Sequence, residues 1–343
     1  MTKPNYIRDF SDLPVDLNGK SILVTGGTGS FGRRFVKTVL ERYKVNRLVV
    51  FSRDEQKQFD MAHELPVTEY PELRYFIGDV RDAARLELAM SGIDYVIHAA
   101  AMKHVSIAEY NPFECINTNV HGAENIVRAA IRQGVKRVIA LSTDKACSPI
   151  NLYGTSKLAS DKIFVAGNHL AGSNGPRFSV VRYGNVVGSN GSVVPFFKKL
   201  LERGTDHLPI THPDMTRFWI TLEQGVDFVL SCLELMQAGE IFVPKIPSMR
   251  VVDLAKSMAP DLEHRTIGIR PGEKLHEAMI TVDDARQTAE LDDRYVILPE
   301  IRLDIVTEYW NSTRRVASSF QYTSDSNPEW LDTAAIKHLL ENY

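Results

Sequence analysis

The sequence predicts an α/β protein in which a doubly wound parallel sheet carries a smaller C-terminal substrate lobe. Two observations point there. From residue 20 onward, short apolar runs alternate with stretches of helical periodicity, the pattern of a parallel sheet covered on both faces. The first run passes directly into a glycine-rich turn and then a helix, the order found at the phosphate-binding end of such sheets. With 343 residues the chain is long enough for one large domain and a second lobe. Its composition, 44% hydrophobic and 24% charged, is that of an ordinary globular protein.

Ser21-Ile22-Leu23-Val24-Thr25 reads as the first strand, closed by glycines. Leu48-Val49-Val50-Phe51 is the second, and residues 73–77, 95–98, 138–141 and 178–182 follow. Each is a short apolar run of strand length, as expected of strands buried on both faces. Helical patterns lie between them, for example over residues 33–42 and 123–131. Crossovers between parallel strands are expected to be right-handed. After residue 185 the alternation weakens. Helices are predicted near 194–203 and 222–236, among loops rich in Gly and Pro, and Glu240-Ile241-Phe242-Val243-Pro244 reads as a further strand that could return to the sheet. The expected division is 1–184 as a Rossmann-like dinucleotide-binding domain with 1–17 as an extension, 185–285 as a substrate lobe partly interleaved with the sheet, and 286–343 as a C-terminal extension. Trp330 and Leu339-Leu340 suggest that this extension docks on the rest of the chain.

A net charge of -3 gives no general reason to expect nucleic acid or an anionic membrane as a partner. The 3 cysteines, Cys115, Cys147 and Cys232, form no C-x-x-C pair, and the odd count suggests neither a disulfide framework nor a zinc site. Residues 1–17 are polar and lack the apolar centre of a signal peptide. No window approaches the apolar length of a spanning helix. The expectation is a cytoplasmic protein without a metal.

Thr25-Gly26-Gly27-Thr28-Gly29-Ser30-Phe31-Gly32 follows the first strand and opens a helix. Gly26, Gly29 and Gly32 form a G-x-x-G-x-x-G series. The first permits a tight turn, the second lets backbone approach a pyrophosphate, and the third lets helix and strand pack closely. The helix N-terminus then offers its N–H groups to the phosphates. The end of the second strand bears on the choice between NAD and NADP. It reads Phe51-Ser52-Arg53-Asp54, where Ser52 is neutral and Arg53 can pair with a 2′-phosphate. Asp54 and Glu55 follow, and a carboxylate there could also reach a ribose. The balance favours NADP. Asp79 and the Val80 backbone, after the third strand, are expected at the adenine. Ala99, Ala100 and Ala101, after the fourth, leave room for the dinucleotide.

Chemistry concentrates in Ser142-Thr143-Asp144-Lys145 and Tyr153-Gly154-Thr155-Ser156-Lys157. Tyr153 and Lys157 are four apart and share a helix face. Hydride removal from an alcohol leaves a hydroxyl proton, which a phenolate takes well. Bringing a tyrosine from pKa ~10 to neutrality requires roughly 4 kcal/mol. A lysine cation nearby and a positive nicotinamide ring both favour the phenolate. Lys157 is spaced for this, and Thr143 or Ser142 could hydrogen-bond the same hydroxyl. Asp144 and Lys145 add a second acid–base pair, which a plain dehydrogenase does not need.

Thr-Gly-x-x-Gly-x-x-Gly together with Tyr-x-x-x-Lys resembles the extended short-chain dehydrogenase/reductase superfamily. Further motifs narrow the resemblance: Ser52-Arg53-Asp54-Glu55, Ala101-Met102-Lys103-His104-Val105, Ser142-Thr143-Asp144-Lys145-Ala146, residues 182–189, Phe242-Val243-Pro244-Lys245 and Arg270-Pro271-Gly272-Glu273-Lys274. Together, over about residues 18–285, they look like the inverting UDP-N-acetylglucosamine 4,6-dehydratase family, which opens pseudaminic acid biosynthesis. The resemblance implies oxidation at C4 by NADP with Tyr153 taking the proton, loss of water across C5 and C6, return of the hydride to C6, and reprotonation of C5 from the opposite face. It implies that Asp144 protonates the departing hydroxyl and that Lys145, if neutral in a low-dielectric site, removes H5. Retaining dehydratases carry Glu where Lys145 stands, and 4-epimerases need neither Asp144 nor Lys145. For the UDP-sugar it implies contacts from Lys103, Asn185, Arg217, Arg270 and Glu273, and for the assembly a homo-oligomer, a hexamer. The chain departs from the family at Asn190, where Arg is usual, and at Cys147-Ser148, where Ala-Asn is usual.

Overall fold

The computed structural model describes residues 8–13, 15–189, 191–301 and 309–341. Its first half alternates strand and helix: β1 (Ser21–Thr25), α1 (Ser30–Arg42), β2 (Arg47–Ser52), α2 (Glu55–Glu64), β3 (Leu73–Ile77), α3 (Ala83–Ala89), β4 (Tyr95–His98), α4 (Val105–Tyr110), α5 (Pro112–Ile116), α6 (Gly122–Gln133), β5 (Arg137–Thr143), α7 (Leu152–Ala171) and β6 (Arg177–Tyr183). A π-helical turn, Asn117–His121, joins α5 to α6. The six strands pair in parallel in the order β3-β2-β1-β4-β5-β6. The order reverses between β1 and β4, so the crevice beyond their C-terminal ends is where a doubly wound sheet binds its ligand. Ile22, Leu23, Val24, Val96, Ile97, Val138 and Ile139 are fully buried, as the continuous apolar runs require.

The second half contributes β7 (Asn185–Val186), α8 (Val193–Glu202), β8 (His207–Ile210), β9 (Thr216–Ile220), α9 (Leu222–Leu235), β10 (Ile241–Pro244), β11 (Ser248–Arg250), α10 (Val251–Met258), β12 (Glu263–Thr266), β13 (Ala278–Ile280), α11 (Val282–Ala285), β14 (Thr288–Glu290), β15 (Arg294–Ile297), β16 (Tyr322–Thr323) and α12 (Thr333–Glu341). The run at 240–244 does return to the sheet: β10 pairs in parallel with β6. β15 and β14 then extend the same edge antiparallel. Glu240 joins these layers. Its buried carboxylate accepts from Ser179 Oγ at 2.7 Å, the backbone N–H groups of Gln237 and Ala238 at 2.9 and 3.0 Å, and Trp310 Nε1 at 3.0 Å. Four donors satisfy a charge that burial would otherwise penalise heavily.

A second, smaller core gathers Phe197, Leu208, Ile210, Trp219, Met249 and Leu254 with Leu331, Ile336 and Leu339. The chain is therefore not divided at 285. Residues 288–297 belong to the large sheet, and residues from 331 onward complete the core of the lobe. The N-terminal segment is also built in, with Phe10 edge-on to Phe228 at 4.9 Å and Leu17 fully buried.

Candidate active site

A cavity of about 780 Å³ opens over the ends of β1, β2, β4, β5 and β6. The glycine turn forms one wall. Gly26 has φ +65, and a Cβ there would lie 2.8 Å from the Ala100 backbone nitrogen. A Cβ on Gly32 would lie 2.5 Å from Gly27 Cα. Only glycine lets the turn sit against the end of β4 and lets α1 sit against the turn. Gly29 gives α1 no side-chain cap. Thr28, Gly29, Ser30 and Phe31 line the cavity beside it, an arrangement suited to a pyrophosphate.

At the end of β2, Ser52 Oγ is 2.8 Å from Thr28 Oγ1. Asp54 caps α2, accepting from Lys57 N at 3.0 Å and pairing with Lys57 Nζ at 3.0 Å. Arg53 is exposed on the rim, 3.9 Å from Asp79. Arg81 holds Asp79 at 2.7 Å, and although burial pushes the other way, this pairing keeps the Asp79 carboxyl below its ordinary range. Val80, Ala99, Ala100 and Ala101 complete this end of the lining. Asn119, in the π-helical turn, was not singled out in the sequence. Its side chain accepts from Met102 N at 2.8 Å and donates to Met102 O and Ser156 Oγ, each at 2.9 Å, so it ties the post-β4 loop to α7.

The other end of the cavity is lined by Thr143, Lys145, Tyr153 and Lys157, with Asp144 buried behind Lys145. β5 presents Thr143, and the following 3-10 turn, Asp144–Ala146, presents Asp144 and Lys145. Asn151 caps α7 by accepting from Gly154 N at 2.7 Å, which orients Tyr153 and Lys157 one turn apart. Both line the cavity with Thr143 and Lys145. Tyr153 is hydrogen-bonded to Thr143, whose hydroxyl donates to Asp144 Oδ1 at 2.9 Å. Ser142 is engaged elsewhere, donating to Asp161 at 2.8 Å. Asp144 is fully buried and pairs with Lys145 Nζ at 3.0 Å.

Burial pushes the Tyr153 hydroxyl up to about 12, against the pull of the Lys145 cation and the Thr143 hydrogen bond. The lysine acting most strongly on this phenol is thus Lys145. Lys157 is held by a 2.7 Å bond to the Leu141 carbonyl, and burial lowers its pKa against the opposing effect of Asp161. The H5-removing role requires a neutral Lys145. Burial disfavours its charge, but Asp144 and then Glu277 outweigh burial and raise its pKa, which favours the ammonium at rest. Glu277, also not singled out in the sequence, lies 3.5 Å from Lys145 Nζ. It stands three residues beyond the Arg270–Lys274 motif, and extending that motif would have reached it.

Of the expected sugar-nucleotide contacts, Lys103 and Asn185 line the cavity, and burial lowers the pKa of Lys103. Arg217 does not fit the expected phosphate contact. It is buried and donates to the carbonyls of Thr216, Leu275 and Lys274 at 2.7, 3.1 and 2.9 Å, outside the cavity lining. Arg270 is exposed, 3.3 Å from Glu273, on a loop tied to α7 by Asn151 Nδ2 donating to Gly272 O at 2.7 Å. Arg270 and Glu273 are also outside the lining. Asn190 lies outside the described residues. Ser148, where the family usually has Asn, adopts φ 45, a left-handed conformation that asparagine tolerates well. The three cysteines are buried and free. Among the described residues, no helix is long and apolar enough to cross a membrane.

Residues 22–299 match the family described as polysaccharide biosynthesis protein. The chain is 57% identical over 330 residues to a UDP-N-acetylglucosamine 4,6-dehydratase (inverting) of Campylobacter jejuni, covering 94% of this chain and 97% of that protein. It is 40% identical over 329 residues to a UDP-glucose 4-epimerase of Rickettsia canadensis, covering 94% and 95%. Among solved structures, the Pen protein from Bacillus thuringiensis superposes with a TM-score of 0.87 at 35% identity, covering 96% of this chain and 99% of that one. A match over most of the large sheet and the lobe, with identity sustained along nearly the whole chain, means that the protein belongs to the polysaccharide biosynthesis protein family and, within it, to the inverting UDP-N-acetylglucosamine 4,6-dehydratases.

Proposed function

We propose that this protein dehydrates UDP-N-acetylglucosamine with inversion at C5, using NADP, to give UDP-2-acetamido-2,6-dideoxy-β-L-arabino-hex-4-ulose. The observation that carries the reading is Lys145, which lines the end of the dinucleotide cavity with Tyr153 and is paired at 3.0 Å with Asp144 buried behind it. An epimerase needs one acid–base group at C4. This site has a second one for C5 and C6.

When bound, the oxidised nicotinamide accepts the C4 hydride, later returns it to C6, and by its positive charge favours the Tyr153 phenolate. Tyr153 takes the C4 hydroxyl proton, and Thr143, turning its hydroxyl from Asp144, donates to the phenolate. The 4-ketone acidifies H5. Lys145 and Asp144 then act together. One proton passing from the ammonium to the carboxylate leaves an amine and a carboxylic acid side by side. The amine removes H5, and the acid gives its proton to the C6 hydroxyl, which departs as water. Lys145 is again an ammonium and Asp144 again a carboxylate, so the pair is restored without a co-reactant. An ammonium at rest is therefore compatible with a base role. Reprotonation of C5 from the opposite face inverts the centre.

NADP is supported by Arg53 on the rim and by the engagement of Asp54 with Lys57 in the first turn of α2. The resemblance supports cytoplasmic action, a homo-oligomer and a product used for pseudaminic acid. The test is incubation of the protein with UDP-N-acetylglucosamine and NADP in deuterated water, with the product read by NMR. The expected product is an L-arabino 4-keto-6-deoxy sugar with deuterium at C5. A D-xylo ketone would mean retention, and an intact 6-hydroxyl with an altered C4 would mean epimerisation.

A further inference from the structure

Glu277 is 2% exposed and lies behind Lys145, outside the cavity lining. Its Oε1 is 3.5 Å from Lys145 Nζ and 3.7 Å from Arg217 Nε, and its Oε2 is 3.9 Å from Lys274 Nζ. Oε2 is buried without a hydrogen-bond partner. A buried carboxylate so placed acts on its neighbours by charge more than by hydrogen bonding. Two of the three cations around it are fixed by backbone. Arg217 is held by three carbonyls, and Lys274 Nζ donates to Cys147 O at 2.5 Å. Lys145 is the one of the three that lines the cavity.

The charged and titratable groups facing Lys145 are Asp144 and Glu277 on the negative side, Arg217 on the positive side, and the Tyr153 phenol. During elimination Asp144 is transiently neutral. Glu277 is then the remaining carboxylate beside Lys145. We propose that Glu277 is a positioning residue for the elimination step: it holds Lys145 as an ammonium aimed at Asp144 and thereby sets the pH range over which dehydration runs. This rests on the dehydratase reading above. The two halves of the reaction use Lys145 differently: hydride removal at C4 feels only its charge, through the Tyr153 phenol, whereas elimination consumes the proton that it carries.

The test compares the wild type with Glu277→Gln and Glu277→Asp across the alkaline range. Dehydration is read as deuterium at C5 and loss of the C6 hydroxyl. The first hydride transfer is read as the near-ultraviolet absorbance of reduced cofactor in a single turnover. In Glu277→Gln the alkaline limb of dehydration should move down by about 1 pH unit or more, the size expected when a close opposite charge is removed. Its NADP affinity and its first hydride transfer at neutral pH should match the wild type. Glu277→Asp keeps the charge and should keep the limb near its original position. The proposal is overturned if the Glu277→Gln limb coincides with that of the wild type, or if Glu277→Asp shifts it equally. It is also overturned if both half-reactions and thermal stability fall together at every pH, the mark of a merely structural role. Failure of the wild type to dehydrate would instead sink the dehydratase reading, and the wild-type measurement alone would reveal it.

Discussion

Lys145 stands between two carboxylates, Asp144 at 3.0 Å and Glu277 at 3.5 Å, and their combined charge outweighs burial. A lysine in an apolar pocket would lose its proton; the same side chain in this setting keeps it. The consequence for Asp144 is testable. In the proposed mechanism Asp144→Asn removes the group that receives the ammonium proton and passes it to the leaving hydroxyl, but leaves Tyr153 and Thr143 in place. Dehydration should fall by roughly 10²-fold or more, the usual scale for loss of a general acid. Reduced cofactor should still appear on mixing with substrate, and full dehydratase turnover in this variant would remove Asp144 from the mechanism. At this scale, what could be read from the sequence was whatever is local. Tyr153 and Lys157 share a face because a helix places positions four apart together. Asp144 and Lys145 are neighbours on one turn. Glu277 and Asn119 meet their partners across several intervening helices and strands, so although Glu277 lies just beyond a motif, no local spacing records either meeting.

The strands near the switch point are joined at their entry by Asp94, just before β4. Its carboxylate accepts from Ser21 N at 2.9 Å and pairs with Lys136 Nζ at 2.7 Å, linking the starts of β1, β4 and β5. Burial pushes this carboxyl up, yet the Lys136 pairing and the Ser21 bond outweigh it and hold it below its ordinary range. A depressed folded pKa stabilises the protein above the unfolded value of about 3.9, and that increment is lost as pH falls through the lower folded value. Asp94→Asn should therefore lower unfolding stability by about 1 kcal/mol at neutral pH. The variant and wild type should converge in acid, as measured by denaturant titrations at several pH values. A constant difference across pH would show that the carboxylate charge is not the cause. Among elements, those with clear periodicity were legible: β1, β3 and β4 keep the boundaries of their apolar runs, and α1, α6, α8 and α9 lie where the helical patterns fall. The short strands β14 and β15 were not. Three or four residues carry too little pattern, and their pairing with β10 comes from across the fold.

At the scale of the molecule, the C-terminal segment is structural. Ile336 is buried in the core that also holds Phe197, Leu208 and Met249. Ile336→Ala should reduce unfolding stability by roughly 2–5 kcal/mol, the range for deleting a large aliphatic side chain in a packed core. Affinity for the dinucleotide should change little, because the glycine turn and the switch point lie on the other core. If calorimetry showed no loss of stability, the segment would not be part of the lobe's core. Continuous apolar runs, a glycine turn and a Tyr-x-x-x-Lys pair determined the sheet, its binding edge and the face shared by Tyr153 and Lys157, since each depends on neighbours within a few residues. The tertiary structure alone decided which core the docked residues beyond 330 complete, that Arg217 braces backbone carbonyls, and that Lys145 sits between Asp144 and Glu277. Burial and the distances between charges depend on segments far apart in the chain, and only folding brings them together.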